Sequence, residues 1–259
     1  MKPTLSVVLI VKNAAPYLAR CLQSVSFADE IIVLDSGSSD STIEIARAYT
    51  NKVHVEADWQ GFGLQKNRAL ALATGDWVLS IDADEVVSVA LRHEIESALS
   101  HPVADIYAMP RLSSYCGRAM RHSGWWPDYL PRLFRQNQAR FSDDQVHERL
   151  LFDGTAARLI NPLLHESFRS LSDVLDKINR YSSAGAAQGL ARGKRGSVGS
   201  AVGRGLWTFV RTYILRAGFL DGREGFLLAV SNAEGVYYRY LKIMYLHEQR
   251  LKDEERAQL

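Results

Sequence analysis

Apolar runs and amphipathic segments alternate along the first hundred residues of the chain. Four apolar runs predict strands, at residues 5–11, 30–35, 52–56 and 77–82. Four segments with helical periodicity follow them, from residue 16 to about 25, 41 to about 49, 64 to 73 and 88 to about 99. For the second of these helices, Ser41 and Glu44 have capping-box spacing, and Asp40 is a further candidate for the cap. Strands and helices alternating in this way predict right-handed β-α-β units, a mostly parallel sheet and hence an α/β fold.

The pattern loosens between residues 102 and 165 and becomes helical after residue 170. Segments 106–110, 130–135 and 157–160 are candidate strands, and we expect them to extend the sheet. We therefore predict a sheet domain over residues 1–168, divided near residue 100, and a separate helical region over residues 169–259.

Composition narrows the class of protein. With 47% hydrophobic and 23% charged residues, the chain has the composition of an ordinary globular protein. Two cysteines, Cys21 and Cys116, are too few for a disulfide framework and fit a reducing compartment. The apolar run near the N-terminus is followed at once by Lys12 and Asn13, and no stretch of 18 uncharged apolar residues occurs, so we expect neither a secretory signal nor a spanning helix.

The net charge of +2 conceals an uneven distribution. Residues 177–223 contain nine Lys and Arg residues against a single acid, Asp221. This concentration of positive charge favours an anionic partner for the C-terminal part of the chain.

The acidic pair Asp82 and Asp84 directly follows the fourth predicted strand. A chain that leaves a strand in extended form points residues i and i+2 to the same side. Both carboxylates would then face one divalent cation, of the kind that neutralises diphosphates. The alternative is a solvated acidic turn.

Further candidate ligands lie at the same edge of the predicted sheet, where the carboxyl ends of parallel strands meet. Asp35 ends the second strand, and its carboxylate suits a nucleobase N–H or a ribose hydroxyl, although it is equally suited to forming a turn. Lys66, Asn67 and Arg68 open the third helix and suit phosphate groups, the alternative being a solvated polar face.

Four segments in this order, 6–13, 34–42, 66–69 and 80–85, resemble the motifs of family 2 inverting glycosyltransferases with the GT-A fold. The resemblance covers roughly residues 4–100. It implies that Asp35 contacts the nucleobase of a nucleotide-sugar donor, bound by residues 1–100. It also implies that Asp82 and Asp84 hold the diphosphate through Mg²⁺ or Mn²⁺, with Asp84 the more direct ligand.

Segments 124–129, 132–134, 146–148 and 216–226 are similar to a narrower branch, the bacterial lipopolysaccharide core β-1,4-glucosyltransferases. That similarity implies transfer of a hexose, glucose from UDP-glucose, to the inner-core heptose of lipopolysaccharide. Residues 101–168 then form the acceptor-side half of the sheet domain.

Inverting transfer needs a base opposite the leaving diphosphate, and a carboxylate serves at neutral pH. Glu148 is the first candidate, followed by Asp144 and Asp143, each of which is otherwise a surface acid. His165 and His147 are candidates for a remaining coordination position of the metal, because neutral imidazole binds borderline ions such as Mn²⁺. His165 is preferred, since His147 adjoins the candidate base.

Aromatic residues of the acceptor-side half suit binding of sugar. Trp125, Trp126 and Tyr129 are candidates for stacking on sugar faces, with core packing as the alternative, and Arg132 is a candidate anion contact.

The helical region interleaves aromatic residues with Arg204, Arg211 and Arg216. Such helices suit the interface of an anionic membrane, and the alternative is a helical pair packed on the sheet domain. We expect a peripheral protein on the cytoplasmic face of the bacterial inner membrane that acts on a lipid-linked glycan, with no nucleic-acid partner.

Three rival functions remain open. The first is a glycosyltransferase that acts on another lipid-linked or cell-surface glycan, and the second is a nucleotidyltransferase, which shares the α/β architecture. Residues 12–16 lack the Gly-rich basic loop that such an enzyme needs after the first strand. A non-enzymatic membrane-surface adaptor would explain the basic helices but would leave Asp35, Asp82 and Asp84 without a role.

Overall fold

A computed structural model describes residues 3–144 and 148–256. The chain forms two compact units. The first unit comprises Met1–Leu112 and Pro127–His165, and the second comprises Ser113–Trp126 and Glu166–Leu259. The change of unit after His165 is close to the predicted boundary at residue 168, whereas Ser113–Trp126 group with the C-terminal residues.

Twelve strands and seven α-helices occur in the described part of the chain. The strands are β1 Leu5–Val11, β2 Glu30–Asp35, β3 Val53–Val55, β4 Trp77–Ser80, β5 Glu85–Val87, β6 Ile106–Tyr115, β7 Arg118–Ala119, β8 Asp128–Arg135, β9 Ala139–Phe141, β10 Leu150–Phe152, β11 Ala157–Arg158 and β12 Leu163–Phe168. The helices are α1 Ala15–Ser24, α2 Thr42–Arg47, α3 Phe62–Leu70, α4 Val89–Ser100, α5 Leu171–Ala191, α6 Val198–Val210 and α7 Gly222–Arg256. A π-helical turn, Arg211–Leu215, and a 3₁₀ turn, Gly218–Asp221, connect α6 to α7.

The main sheet has the strand order β3-β2-β1-β4-β8-β6-β12-β5. Strands β1 to β4 pair in parallel, as predicted from the alternating pattern. From β4 onward the neighbours β8 and β6 pair antiparallel, and so do β12 and β5. The α/β fold class is confirmed, and the three downstream segments predicted as strands do extend the sheet as β6, β8 and β11.

The core of the first unit lies on both faces of the parallel strands, which explains why their sequences are continuously apolar. On one face Val7 and Leu79 pack with α1, α2 and α4. On the other face Val8 and Phe134 pack with α3. This double burial fixes the strand ends, where the candidate site residues lie.

The start of α2 differs from the capping box predicted for Ser41 and Glu44. The Ser41 side chain makes no capping hydrogen bond. Instead the Oδ1 atom of Asp40 accepts a hydrogen bond from the Thr42 N–H at 3.0 Å. Asp40 thus satisfies the free N–H of the first helical residue, so the cap is the alternative candidate.

The second unit is mainly helical. Capping boxes begin α5 at Ser170 and α6 at Ser197. A small cluster that includes Ala186, Ala201 and Ile243 packs α5 and α6 against the long α7. No helix within the described residues has both the length and the apolar character needed to cross a bilayer.

Candidate active site

Asp82 lies two residues beyond β4 and is held by two cations. Its Oδ1 atom lies 2.9 Å from Nζ of Lys66, and its Oδ2 atom lies 2.6 Å from Nη2 of Arg132. Burial raises the pKa of Asp82, but the charges of Arg132 and Lys66 outweigh it and hold the pKa well below its usual range. Asp82 is therefore ionised, with 32% of its side chain exposed.

Asp84 faces a different partner. Its Oδ2 atom lies 3.3 Å from Nε2 of His165, and 36% of the Asp84 side chain is exposed. The antiparallel register of β12 and β5 places His165 opposite Glu85 and so beside the acidic motif. The pairing of these two strands thus places an exposed carboxylate beside a partly buried imidazole.

The two aspartates do not sit on an extended chain. The Glu85 N–H donates to the Asp82 carbonyl at 3.0 Å, which closes a turn over residues 82–85. The expectation that Asp82 and Asp84 point to one side because the chain is extended is wrong for this reason. The turn gives each carboxylate its own partners.

Glu85 and Arg132 form a buried ion pair beneath the motif. Glu85 is fully buried, its Oε1 atom lies 2.8 Å from Nη2 of Arg132, and its Oε2 atom accepts a hydrogen bond from the Asp82 N–H at 2.9 Å. Burial raises the pKa of Glu85. Burial lowers the pKa of Arg132, but Asp82 and Glu85 more than compensate, so its pKa lies above the usual value. The structure thus places Arg132 among the carboxylates, where it orients Asp82, rather than on an acceptor-facing surface.

The Lys66 ammonium contacts both Asp82 and Glu148, the candidate base. The Lys66 side chain is nearly buried, and its Nζ atom lies 2.8 Å from Oε1 of Glu148 as well as 2.9 Å from Asp82. Glu148 keeps 15% of its side chain exposed. One ammonium therefore holds two carboxylates from distant parts of the sequence close to each other.

A close approach of α3 to the segment before Glu148 makes this possible. A Cβ atom on Gly63 would lie 1.8 Å from the carbonyl oxygen of Ser142, so only glycine fits there. Asn67 reinforces the contact, since its Nδ2 donates to the Phe141 carbonyl at 2.9 Å and its Oδ1 accepts from the Phe141 N–H at 2.8 Å. Asn67 thus has a positioning role, although it was predicted to bind the nucleotide-sugar.

The other predicted nucleotide-sugar residues make local contacts. The Oδ1 atom of Asp35 accepts hydrogen bonds from the N–H groups of Gly37 at 2.9 Å and Ser38 at 2.8 Å, so this buried carboxylate shapes the turn after β2. Arg68 lies 3.1 Å from Asp58, at Nη2 and Oδ2, on the loop before α3. These contacts fit the turn-forming alternative for Asp35.

The remaining candidates are Asp144, His147, Tyr129, Trp125 and Trp126. Asp144 is exposed and accepts a hydrogen bond from the Ser142 hydroxyl at 2.8 Å, whereas His147 lies outside the described residues. Tyr129, in the first unit, carries the Arg158 guanidinium 4.6 Å from its ring centroid. Trp125 and Trp126 belong to the second unit.

Sequence reasoning assigned no role to three residues of the cluster, Arg111, Asp128 and Glu85. The Arg111 guanidinium binds Asp128, with Nη2 2.8 Å from Oδ2, and its Nη1 lies 3.8 Å from the Glu85 carboxylate. The third acid of the motif, Glu85, was visible in the sequence as a neighbour of Asp84. Arg111 and Asp128 gave no such signal, because their meeting depends on the register of β6 and β8.

The charges of this cluster suit a cation. Three cationic side chains, Lys66, Arg111 and Arg132, contact four carboxylates, those of Asp82, Glu85, Asp128 and Glu148. A fifth carboxylate, that of Asp84, contacts His165. No group of three or more metal-binding side chains is found in residues 3–144 and 148–256. Asp84 and His165 nevertheless fit Mn²⁺, which accepts an imidazole beside a carboxylate, whereas Mg²⁺ would take only the Asp84 oxygen. Such ions use few protein ligands when substrate phosphates supply the others.

Comparison with known proteins defines the family. The model of the glycosyl transferase family 2 matches residues 6–154, more than half of the chain. An uncharacterized glycosyltransferase of Rickettsia typhi is 30% identical over 96% of this chain and 88% of its own length. The chain therefore belongs to glycosyl transferase family 2 and is a glycosyltransferase. This membership removes the nucleotidyltransferase and adaptor alternatives, and with the observed α/β arrangement it confirms the expected GT-A class.

Two further similarities concern proteins with named activities. The lipopolysaccharide core biosynthesis glycosyltransferase LpsC of Rhizobium meliloti is 28% identical over 95% of this chain and 94% of its own. Glucosyl-3-phosphoglycerate synthase from Mycobacterium tuberculosis, solved with Mg²⁺ and UDP, is 29% identical over 43% of this chain, with a TM-score of 0.36. The chain spans only 44% of that solved structure.

Proposed function

We propose that the protein is an inverting, metal-dependent hexosyltransferase that moves glucose from UDP-glucose to the inner-core heptose of lipopolysaccharide. The observation that carries the proposal is the arrangement at the end of β4. There an exposed Asp84 lies beside His165, while Lys66 links Asp82 to Glu148. The similarity to a lipopolysaccharide core glycosyltransferase over nearly the whole chain supports the acceptor class.

In this proposal the donor diphosphate lies next to Asp84 and His165. A divalent cation held by these two side chains would neutralise the charge that develops on the leaving diphosphate. Asp82 keeps its charge through Lys66 and Arg132, and its negative field adds to the attraction for a cation. Asp35 lies at the end of β2, and β1 separates β2 from β4 in the sheet. A nucleobase bound at Asp35 would complete the donor site.

Glu148 is assigned as the general base. Its carboxylate is mostly buried but retains some exposure, and its ion pair with Lys66 orients it. Because Lys66 is shared with Asp82, Glu148 has no cation to itself and keeps lone pairs for the acceptor hydroxyl. Asp144, held by Ser142, is the second candidate.

The second unit is proposed to bind the anionic surface of the membrane that carries the acceptor. On α6 the apolar residues Val198, Val202, Leu206 and Val210 recur every four positions and are all exposed. The turns that follow α6 expose Ile214, Leu215, Phe219 and Leu220. Arg204, Arg211 and Arg216 are exposed in the same segment, so an apolar face and cationic groups occur together, as in interfacial helices.

A donor panel tests the proposed activity. Purified protein with Mn²⁺ or Mg²⁺ is incubated with UDP-glucose, UDP-galactose, UDP-N-acetylglucosamine and GDP-mannose, with and without lipopolysaccharide inner-core acceptor. We expect release of UDP from UDP-glucose, stimulated by the acceptor and abolished by a chelator. Preference for another donor would overturn the sugar assignment, and turnover that persists in chelator would overturn the metal assignment.

A further inference from the structure

The second unit contains a cavity of about 330 Å³ that the donor site does not use. It lies among the end of β6, the end of β12 and the helices α5 and α7. Its size falls in the range of small-molecule sites. All of its lining residues belong to the second unit, so the cavity is complete within that unit.

Aromatic rings form much of the cavity lining. Trp125 stacks on Phe168 with an interplanar angle of 27° and ring centroids 6.3 Å apart, and Tyr115 packs against both rings. Tyr181 also lines the cavity and is 55% exposed. Flat aromatic faces of this kind cover the apolar C–H surfaces of sugar rings.

The charged lining is entirely cationic. Lys177 and Arg239 line the cavity, and no Asp or Glu is found among the described residues that do so. The Lys177 Nζ atom lies 4.6 Å from the Phe168 ring centroid and 5.7 Å from that of Tyr181. A cation fixed against aromatic rings is placed to pair with an acidic group on a ligand that also contacts those rings.

Hydroxyl and amide groups complete the lining and distinguish a sugar from an acyl chain. The hydroxyls of Tyr115 and Ser231 are 2.8 Å apart, and Ser167 and Asn232 add further polar groups. An acyl chain would strip water from these groups without replacing its hydrogen bonds. Sugar hydroxyls replace that water, because each one donates and accepts.

From these features we infer that the cavity binds an acidic sugar, one that carries a phosphate or a carboxylate, as part of the acceptor glycan. The inference rests on the proposed function for the identity of the glycan as acceptor. Lys177 and Arg239 pair with the acidic group, and Trp125 and Tyr181 contact the sugar ring. The second unit then takes part in recognition of the acceptor.

Binding of soluble probes tests the inference without the donor. Mannose 6-phosphate is titrated into the full-length protein and followed by isothermal titration calorimetry, with mannose, inorganic phosphate and octanoate as comparisons. We expect mannose 6-phosphate to bind more tightly than each of the other three. Equal binding of inorganic phosphate would overturn the role of the rings, equal binding of mannose would overturn the role of the cations, and tighter binding of octanoate would point to an acyl chain.

Three variants locate the site. Lys177→Gln and Arg239→Gln should each weaken binding of mannose 6-phosphate about tenfold, since each loses a charged hydrogen bond. Tyr181→Ala should weaken binding of mannose 6-phosphate but leave binding of inorganic phosphate unchanged. Lys194→Gln removes the same charge from an exposed lysine of the second unit that does not line the cavity, and it should bind like the native protein.

Donor hydrolysis keeps the two proposals separable. Lys177→Gln should hydrolyse UDP-glucose in the absence of acceptor at the native rate, because the donor residues belong to the first unit. Native hydrolysis together with native binding in Lys177→Gln and Arg239→Gln would overturn the cavity assignment alone. Absence of hydrolysis of any donor by the native protein would overturn the proposed function, while a loss of probe binding in the variants would still support the cavity as a site for acidic sugars.

Discussion

At the scale of single residues, the candidate site depends on how cations are divided among carboxylates. Asp82 contacts both Lys66 and Arg132, whereas Asp84 contacts the imidazole of His165. Asp84 has no Lys or Arg partner among the ion pairs of the described residues, and its side chain is 36% exposed, so its carboxylate is accessible to a metal. The two aspartates of one short motif thus have different roles, with Asp82 fixed by ion pairs and Asp84 open to a ligand.

Asp84→Asn should abolish transfer and weaken cation binding while the fold remains intact. The amide keeps the shape of the side chain but removes the charge that holds a divalent ion. We expect Mn²⁺ binding, followed by electron paramagnetic resonance in the presence of UDP, to weaken by about 10-fold or more, in line with loss of one charged contact. Asp153→Asn, a change at an exposed acid of the first unit, is the matched control. Full turnover in Asp84→Asn that still requires metal would contradict the assignment.

Glu148→Gln should lower kcat by roughly 10²-fold or more with little change in donor affinity, because a general base acts in the transition state. The glutamine can still accept a hydrogen bond from Lys66, so the position of α3 should be preserved. Single-turnover transfer and equilibrium binding of UDP-glucose separate the two effects. Asp144→Asn serves as the comparison, and if it shows the loss of rate while Glu148→Gln does not, Asp144 is the base.

At the scale of elements, the sequence predicts a strand best where the strand is buried on both of its faces. The strands β1, β2 and β4 are buried on both faces, and their apolar runs show it directly. The strands β5 and β12 escaped prediction because β5 has only three residues and β12 carries His165 and Glu166 in place of an apolar run.

The missed strands also explain why part of the site was hard to foresee. His165 was a candidate ligand on grounds of residue type alone, and only the pairing of β12 with β5 brings it to Asp84. The contact of Lys66 with Glu148 likewise depends on the approach of α3 to Ser142. Local sequence predicts which residues end a strand or open a helix, but contacts between distant segments require the strand register.

An element-scale prediction concerns Glu30, at the start of β2. Its Oε2 atom accepts a hydrogen bond from the Thr74 N–H at 2.9 Å, and its carboxylate also contacts Ser6 and Lys52. Burial raises the pKa of Glu30, but the hydrogen bonds from Lys52, Ser6 and Thr74 outweigh it and lower the pKa to about 2. Because the folded pKa is lower than the unfolded one, this stabilisation is present above about pH 4.5 and is lost as the pH falls through about 2.

Glu30→Gln should therefore reduce the free energy of unfolding by about 3 kcal/mol at pH 7, and by less as the pH approaches 2. Urea denaturation at pH 7 and at pH 3 measures the difference between native and variant proteins. Glu44→Gln, at an exposed acid on α2, should change the free energy of unfolding by no more than about 0.5 kcal/mol. A difference for Glu30→Gln that is the same at both pH values would contradict the linkage.

At the scale of the whole molecule, the two units divide the proposed tasks. The first unit contains the acidic cluster and His165, and the second contains the exposed apolar face of α6 together with the aromatic cavity. The charge pattern of the sequence predicted a distinct role for the C-terminal part. It did not predict the cavity, whose lining residues are spread over segments 115–125, 167–182 and 228–239.

The last prediction is that the full-length protein binds anionic vesicles reversibly through the second unit. Each Lys or Arg near an anionic surface contributes about 1 kcal/mol, and the exposed apolar residues of α6 add their buried area. Replacing Arg204, Arg211 and Arg216 by Gln should weaken partitioning about a hundredfold, and high salt should weaken it in the native protein. Flotation on vesicles with and without phosphatidylglycerol measures this partitioning.

A control variant removes equal charge from three exposed positions of the first unit and should float normally. Its substitutions are Arg20→Gln, Arg47→Gln and Arg140→Gln. Both triple variants should hydrolyse free donor at the native rate, because neither touches the acidic cluster. Equal recovery on neutral and anionic vesicles, or none on either, would instead favour a helical unit whose exposed face packs on protein.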